Sequence, residues 1–471
     1  MDEKEFVQIK DEKFYVKNKR LYISNIKLEN LNEIKGLEDL KTIKELSLRH
    51  LGLKTLPDSI GTFKSLEQLD ISFNLLTTIP LSLGNLSKLK RLSLTNNKIK
   101  LFPKCIRNLK SIEFIDLSGN RGIKHLNQIS SLKVLKNLKT LFLDRLEMKI
   151  LPDSIGDLSS LESLVLDQNY LSVLPESFAN LQNLKWLSLA NNKFEKVPEC
   201  INLLKSLEDL DLCGNEGIKN LNSLKELPNL YSLKLALCAL EAVPKALRHL
   251  NNLYFLNLNA NNINHIPSFI RDIKSLETLT MGGNNFQTFP EIITSLTSLK
   301  RLNLSESNIH KLPESIGDLN SLEELFLQNN YLTRLPNSVG SLSSLKSLWL
   351  ESNHLSELPR SIGNLQSLTN LYVTRNTLSN LPESIGNLLN LEILYIHDNK
   401  LKNLPSSIGN LQKLRELNLR ANQISSLPES ILTCNWLEAI DLKGNPIAHS
   451  KDSKTLNILK ELQNKEVTVF I

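Results

Sequence analysis

The chain has 471 residues, 41% of them apolar, and a formal net charge of +6 from 56 Lys and Arg against 50 Asp and Glu. That length suits two or three globular domains or one elongated repeat array, and so small and dispersed a positive excess argues against a nucleic-acid partner. The five cysteines, Cys105, Cys200, Cys213, Cys238 and Cys434, form no C-x-x-C pair, which argues against zinc and dithiol redox chemistry and points to a reducing compartment.

The first twenty residues, MDEKEFVQIKDEKFYVKNKR, alternate charges with single apolar residues and lack the apolar core of a secretory signal. No stretch approaches the roughly 20 apolar residues of a membrane span. A soluble, monomeric, cytoplasmic protein is expected, with export by a route that needs no cleaved signal left open. Residues 1–42 include RLYISNIKLENL, an imperfect copy of the pattern that follows. They are expected to cap the array, where an open edge and core otherwise meet water.

From Ile43 to residue 447 the pattern L-x-x-L-x-L-x-x-N-x-L recurs, its second core position falling at 46, 69, 92, 115, 141, 164, 187, 210, 233, 256, 279, 302, 325, 348, 371, 394, 417 and 440. These are eighteen coils, numbered one to eighteen below, with steps of 23 residues and one of 26 between Ile115 and Leu141. Such a period predicts a solenoid in which each coil buries its apolar side against its neighbours. In LEILYIHDNKLKNLP, Leu394 and Ile396 alternate with outward residues and predict a short strand. Asn399 turns the chain and is suited to bond backbone groups of its own and the adjacent coil. Leu401 and Leu404 return to the core, and Pro405 starts an extended segment followed by an outer turn, whose S-I-G glycine is read as a turn residue. Strands stacked at about 4.8 Å give a parallel sheet with a contour length on the order of 85 Å. The wider outer segments should curve it, with the sheet on the concave face.

Asn occupies its position in fourteen coils; Leu51, Leu146, Cys238 and Ser307 interrupt the row. Cys238 and Ser307 are expected to make weaker forms of the bond, and Leu51 and Leu146 to loosen or repack the chain locally. Leu51 and Leu146 are 95 residues apart, as are SGNRGIKHL at 118–126 and CGNEGIKNL at 213–221, which indicates duplication of blocks of coils. The G-I-K coils are expected to be more helical on their outer side.

Between the core positions, four consecutive coils carry Phe326, Trp349, Tyr372 and Tyr395, an expected ladder of exposed aromatics. The next outward positions are Gln328, Glu351, Thr374, His397 and Arg420, flanked by Arg375 and Asp398. Large rings among charged groups have the composition of interface hot spots; stiffening of the sheet by rings and drift after duplication are the competing explanations. Phe73, Phe114, Phe142 and Trp186 fall on different strand positions and are expected as isolated surface aromatics. His397 and Glu351 sit two coils apart, about 10 Å, which favours a salt-bridging role over metal ligation. No G-x-x-x-x-G-K-[ST] or G-x-G-x-x-G occurs, and Cys434 has no evident base; no catalytic, cofactor or metal site is expected. Lys454–Leu462 reads as an amphipathic helix with Leu456, Leu459 and Leu462 on one side, and with the closing VTVFI it forms an expected C-terminal cap over 448–471.

The full motif L-x-x-L-P-x-x-I-x-x-L-x-x-L-x-x-L-x-L-x-x-N-x-L, over residues 43–447, resembles the leucine-rich-repeat superfamily. Its L-P-x-S-I-G-N-L coils look like the intracellular Ras-binding or scaffold class and its bacterial relatives, spirochaete proteins among them. The resemblance implies an α/β solenoid, a horseshoe with a parallel sheet on the concave face and loops, 3-10 or short helical turns on the convex face. It also implies protein binding on that sheet, although the fold itself serves many partners. The expected function is a non-catalytic scaffold for a protein partner, centred on coils thirteen to seventeen. A receptor for a glycan or another small or polymeric ligand on the same ladder is the alternative; neither nucleic acid nor a membrane is an expected partner.

Overall fold

A computed structural model describes residues 5–123 and 129–471, so part of the first G-I-K segment lies outside the described residues. Two compact units are present, Met1–Lys234 and Leu235–Ile471. Each is a succession of the same coil: a three-residue strand, an asparagine turn, an extended L-P segment and a 3-10 turn. The N-terminal unit stacks ten parallel strands, from Arg20–Ser24 to Ser232–Lys234. RLYIS is therefore a full member of the sheet, paired with Glu45–Arg49. Ahead of it an antiparallel hairpin, Phe6–Ile9 with Glu12–Tyr15, buries Val7 and Ile9. The C-terminal unit stacks ten more parallel strands, from Phe255–Asn257 to Thr468–Phe470.

Register follows the apolar period. Leu325 lies opposite Leu302 and Leu348, all fully buried, while the residues on either side face outward. The 26-residue step keeps Ile115 opposite Leu141, so its three extra residues lie outside the strands. The outer turn after the second G-I-K segment, Asn222–Glu226, is a five-residue 3-10 turn like most of the others, not a longer helix. Near the C-terminus Ser453–Asn464 is α-helical, capped by Asp452, and buries Ile458, Leu459 and Leu462. Leu456 is half exposed and does not share that face. No helix among the described residues is long and apolar enough to cross a membrane.

The asparagines close the backbone ledger of each coil. Asn399 Nδ2 donates to Val373 O of the coil before (2.9 Å) and to Ile396 O of its own (3.1 Å), and Oδ1 accepts Leu378 N–H (3.0 Å). Where the row is broken, the expected loosening at Leu51 and Leu146 does not occur, and both residues are fully buried. The following asparagine accepts a second amide instead: Asn74 takes Leu51 N–H and Leu53 N–H, and Asn169 takes Leu146 N–H and Met148 N–H, at 3.0–3.1 Å. A left-handed residue on each side turns that amide toward the next coil, Arg145 and Glu147 (φ 56° and 59°) flanking Leu146. Regular coils use one such residue, before the asparagine, as with Asp398. Ser307 Oγ and Cys238 Sγ do make the expected weaker bond, to Ser305 O and Ala236 O.

The S-I-G glycines are not left-handed turn residues. They are needed because the next coil passes too close for a side chain: a Cβ on Gly386 lies 2.3 Å from Ser407 O.

Candidate functional site

The outward sheet residues of coils thirteen to seventeen come from strands of three residues, so each coil contributes side chains before, between and after its buried leucines. Strand spacing near 4.8 Å is close to the contact distance of stacked rings, and adjacent rings therefore cover one another. Phe326 and Trp349 stack at 4.1 Å and 13°, Trp349 and Tyr372 at 5.5 Å and 14°, and Tyr395 meets Tyr372 edge-on at 5.4 Å. The ladder exists as expected, but its rings are half-buried and not freely exposed. It presents mainly ring edges and phenol tips.

The polar groups beside it divide by environment. Tyr395 donates its hydroxyl proton to Glu416, which together with burial pushes the phenol pKa up to about 12. Asn370 donates to Tyr372 Oη at 3.1 Å. Gln328 and Glu351 occupy the same position on neighbouring coils, and each has a buried oxygen, Oε1 and Oε2, without a hydrogen-bond partner among the described residues. Burial raises the Glu351 pKa, because the carboxylate there loses water without gaining a cation. Arg375, His397 and Asp398 come together, with His397 Nδ1 2.9 Å and Arg375 Nε 3.8 Å from Asp398 Oδ2. Arg420 is exposed at the far end, without an ion partner among the described residues. Among the described residues no group of three or more His, Cys, Asp or Glu is placed to hold a metal.

Two further arrangements escaped the sequence reading. His310 stacks on Tyr331 at 5.1 Å, and Tyr331 meets His354 at a tilt at 5.8 Å, on the asparagine-turn side of coils twelve to fourteen, with Tyr331 45% exposed. Their signal was an aromatic residue at neighbouring turn positions in three consecutive coils. In the N-terminal unit, Phe114, Phe142 and Trp186 are not isolated: Phe142 meets Phe114 at 5.3 Å and Trp186 at 6.0 Å, both edge-on. Phe73 stacks on His50 at 4.4 Å. Side chains from different strand positions lean across the sheet to meet, which a one-row comparison cannot reveal.

The same N-terminal face holds Asp167, whose Oδ1 accepts from Ser188 Oγ (2.5 Å) and Ala190 N–H (2.8 Å). Burial, reinforced by Asp211 and Asp144, raises its pKa from 3.8 to about 6. Between those values the folded chain holds a proton that the unfolded chain has lost, so stability falls as pH rises through the window and is level above it. Asp167→Asn keeps an acceptor and removes the charge. It should raise unfolding free energy at neutral pH by about 1–3 kcal/mol, and by progressively less as pH falls. Denaturant titrations across that pH range measure this; a gain of equal size at every pH would reject a buried charge as the cause.

A leucine-rich-repeat region model matches residues 19–142, 114–243, 216–330 and 291–377, and a leucine-rich-repeat model matches 389–447. The chain belongs to the leucine-rich-repeat family. It is similar to a leucine-rich-repeat protein of Leptospira interrogans, at 32% identity and a TM-score of 0.67, over 95% of this chain and 100% of that one. A plant peptide hormone receptor, RGFR1, solved in complex with RGF2, shares the fold at 24% identity and a TM-score of 0.51, covering 93% of this chain and 82% of the receptor. The ectodomain of the Arabidopsis thaliana receptor kinase GASSHO1/SCHENGEN3 does so at 22% identity and a TM-score of 0.50, covering 87% and 68%. No curated protein matches the chain by sequence.

Proposed function

We propose that this chain is a non-catalytic binding scaffold whose protein partner docks on the sheet face of coils thirteen to seventeen. Leucine-rich-repeat membership supports the coarse reading, a scaffold for protein or peptide partners. The finer reading is carried by one observation: four consecutive coils place a continuous aromatic stack among groups whose hydrogen bonding is incomplete, Gln328 and Glu351. Half-buried rings held rigid by their neighbours lose little conformational entropy when covered, and charged side chains at Arg375, Asp398 and Arg420 frame them as a polar rim. A glycan receptor is less well supported, since sugar rings stack on open aromatic faces and these faces already cover each other.

Trp349→Ala with Tyr372→Ala should lower capture of the partner from a lysate by about tenfold or more. Both positions lie on the outward face, so the double variant should keep the circular dichroism spectrum of a folded solenoid. Undiminished capture by a folded double variant rejects the ladder as the site.

A further inference from the structure

The asparagine-turn flank of the N-terminal unit carries a surface of different chemistry from the sheet face. Beyond its asparagine each coil runs through an extended L-P segment, and successive segments are zipped edge to edge: Leu75 N–H donates to Leu53 O (2.8 Å) and Lys98 N–H to Leu76 O (2.9 Å). Equivalent residues of coils one to three therefore stand side by side. Leu81, just after Pro80, and Leu101, four residues past Asn97, are 71% and 74% exposed. The fold does not require leucine at either place. In coils ten to seventeen the position of Leu101 holds only polar or charged residues, from His265 to Ser426, and coils five to seven have Asp153, Glu176 and Glu199 where Leu81 stands.

The charges beside these tips are almost all of one sign. Segments 51–59, 74–82 and 97–105 carry Lys54, Lys98, Lys100 and Lys104 against a single carboxylate, Asp58, which accepts from Ser82 Oγ (3.0 Å). All four lysines are exposed, and none has a carboxylate partner among the described residues. The cap segment before them, 25–33, sets Lys27 against Glu29 and Glu33, but Glu33 Oε1 is occupied by the Glu29 and Asn30 amides. A depression of about 440 Å³ brings Leu81 and Leu101 together with Thr77, Ile79, Lys100 and Lys104. Ile150 and Val173 continue the apolar row in coils five and six, where Glu147, Asp153 and Glu176 cancel the basic charge.

We infer that this flank, over coils one to three, rests on an anionic lipid bilayer, with Leu81 and Leu101 entering the headgroup boundary and the lysines lying over lipid phosphates. Composition decides between a bilayer and an acidic protein. Protein interfaces are depleted in lysine and anchored by aromatic rings or arginine. Aliphatic tips among long, flexible lysines are instead the make-up of surfaces that lie in the membrane interface. Pro80 and Pro103 keep the backbone beside the tips extended (φ −66° and −68°), so little further order is lost on insertion. No helix among the described residues can cross a bilayer, and lying on one needs none that does. The surface belongs to the N-terminal unit and does not rest on the aromatic ladder.

Vesicles of equimolar phosphatidylcholine and phosphatidylglycerol are the probe, and pure phosphatidylcholine vesicles the control. In sedimentation at low salt, wild type should bind the anionic vesicles about tenfold more tightly than the neutral ones. Lys98→Glu with Lys100→Glu should remove that preference. Leu81→Ser with Leu101→Ser should weaken binding to the anionic vesicles by about tenfold. Lys400→Glu with Lys402→Glu makes the same charge change at the matching positions of coil sixteen and should bind as wild type does. All of these side chains are exposed, so the melting temperatures should match wild type. No binding to the anionic vesicles, equal binding to both kinds, or equal loss in the coil-sixteen variant overturns the inference. Wild-type binding by the folded leucine variant overturns it too, and assigns the lysines to an acidic protein or polymer.

Discussion

Asn330→Ala should be, with Asn261→Ala, one of the two most destabilising asparagine replacements in the C-terminal unit, since both side chains accept two amides, and measurably worse than Asn376→Ala. Asn376 accepts one amide, Leu355 N–H (2.9 Å), and donates to Leu350 O, Val373 O and Thr374 O. Asn330 makes the matching donations to Leu304 O, Leu327 O and Gln328 O, but accepts both Ser307 N–H (3.1 Å) and Ile309 N–H (2.9 Å). It does so because the coil before it has serine at the asparagine position. Each buried backbone group left unpaired costs about 1–3 kcal/mol. Asn376→Ala should therefore cost at least about 3 kcal/mol, and Asn330→Ala about 1–3 kcal/mol more. Urea unfolding of the two variants measures the difference. Equal losses would mean that the second amide finds another acceptor when the asparagine is gone.

Gly386→Ala should cost about 1–3 kcal/mol or more, the range of overpacking in a rigid core. The added Cβ would meet Ser407 O at 2.3 Å, Ser407 Cβ at 2.5 Å and Ser407 C at 2.9 Å. Two of these are backbone atoms of the next coil, so relief requires opening the stack and stretching a strand pair. Gly217→Ala is the matched control: its Cβ would meet nothing nearer than Glu195 Cγ at 3.4 Å, and its backbone is not left-handed. That change should stay within about 1 kcal/mol of wild type. Thermal melts of both proteins separate close approach from loss of chain flexibility, because the second effect is common to the two and the first is not.

A row of alternating charges beside the strands is legible in the sequence. Two residues before each core position, Lys44, Glu67, Lys90, Glu113, Lys139, Glu162, Lys185 and Glu208 alternate in sign through eight consecutive coils. Glu67 bridges both neighbours, Lys44 at 2.7 Å and Lys90 at 3.5 Å, and Lys44 holds its carboxyl below the ordinary range. Lys300 with Glu277 and Lys346 with Glu323 repeat the arrangement in the C-terminal unit. Exposed pairs of this kind add little stability each. Alternation does ensure that neighbouring coils never bring like charges together in this row.

The sequence by itself determined the coil. Leucines at fixed spacing, an asparagine at each turn and an L-P segment leave one arrangement that buries the apolar side and pairs the backbone, and the same spacing put Phe326, Trp349, Tyr372 and Tyr395 on one line. Tertiary structure alone decided how adjacent coils share what one coil lacks. Asn74 and Asn169 repair the breaks at Leu51 and Leu146, and the S-I-G glycine answers to a carbonyl one coil away. Ring orientation belongs there too: the ladder residues cover each other's faces, whereas Phe114, Phe142 and Trp186 meet from different strand positions. The reason is common to all of them. Periodicity reports which side of its own coil a residue occupies, while bonds, clashes and ring contacts depend on atoms 21 to 26 residues away that are brought to within a few ångströms only by stacking.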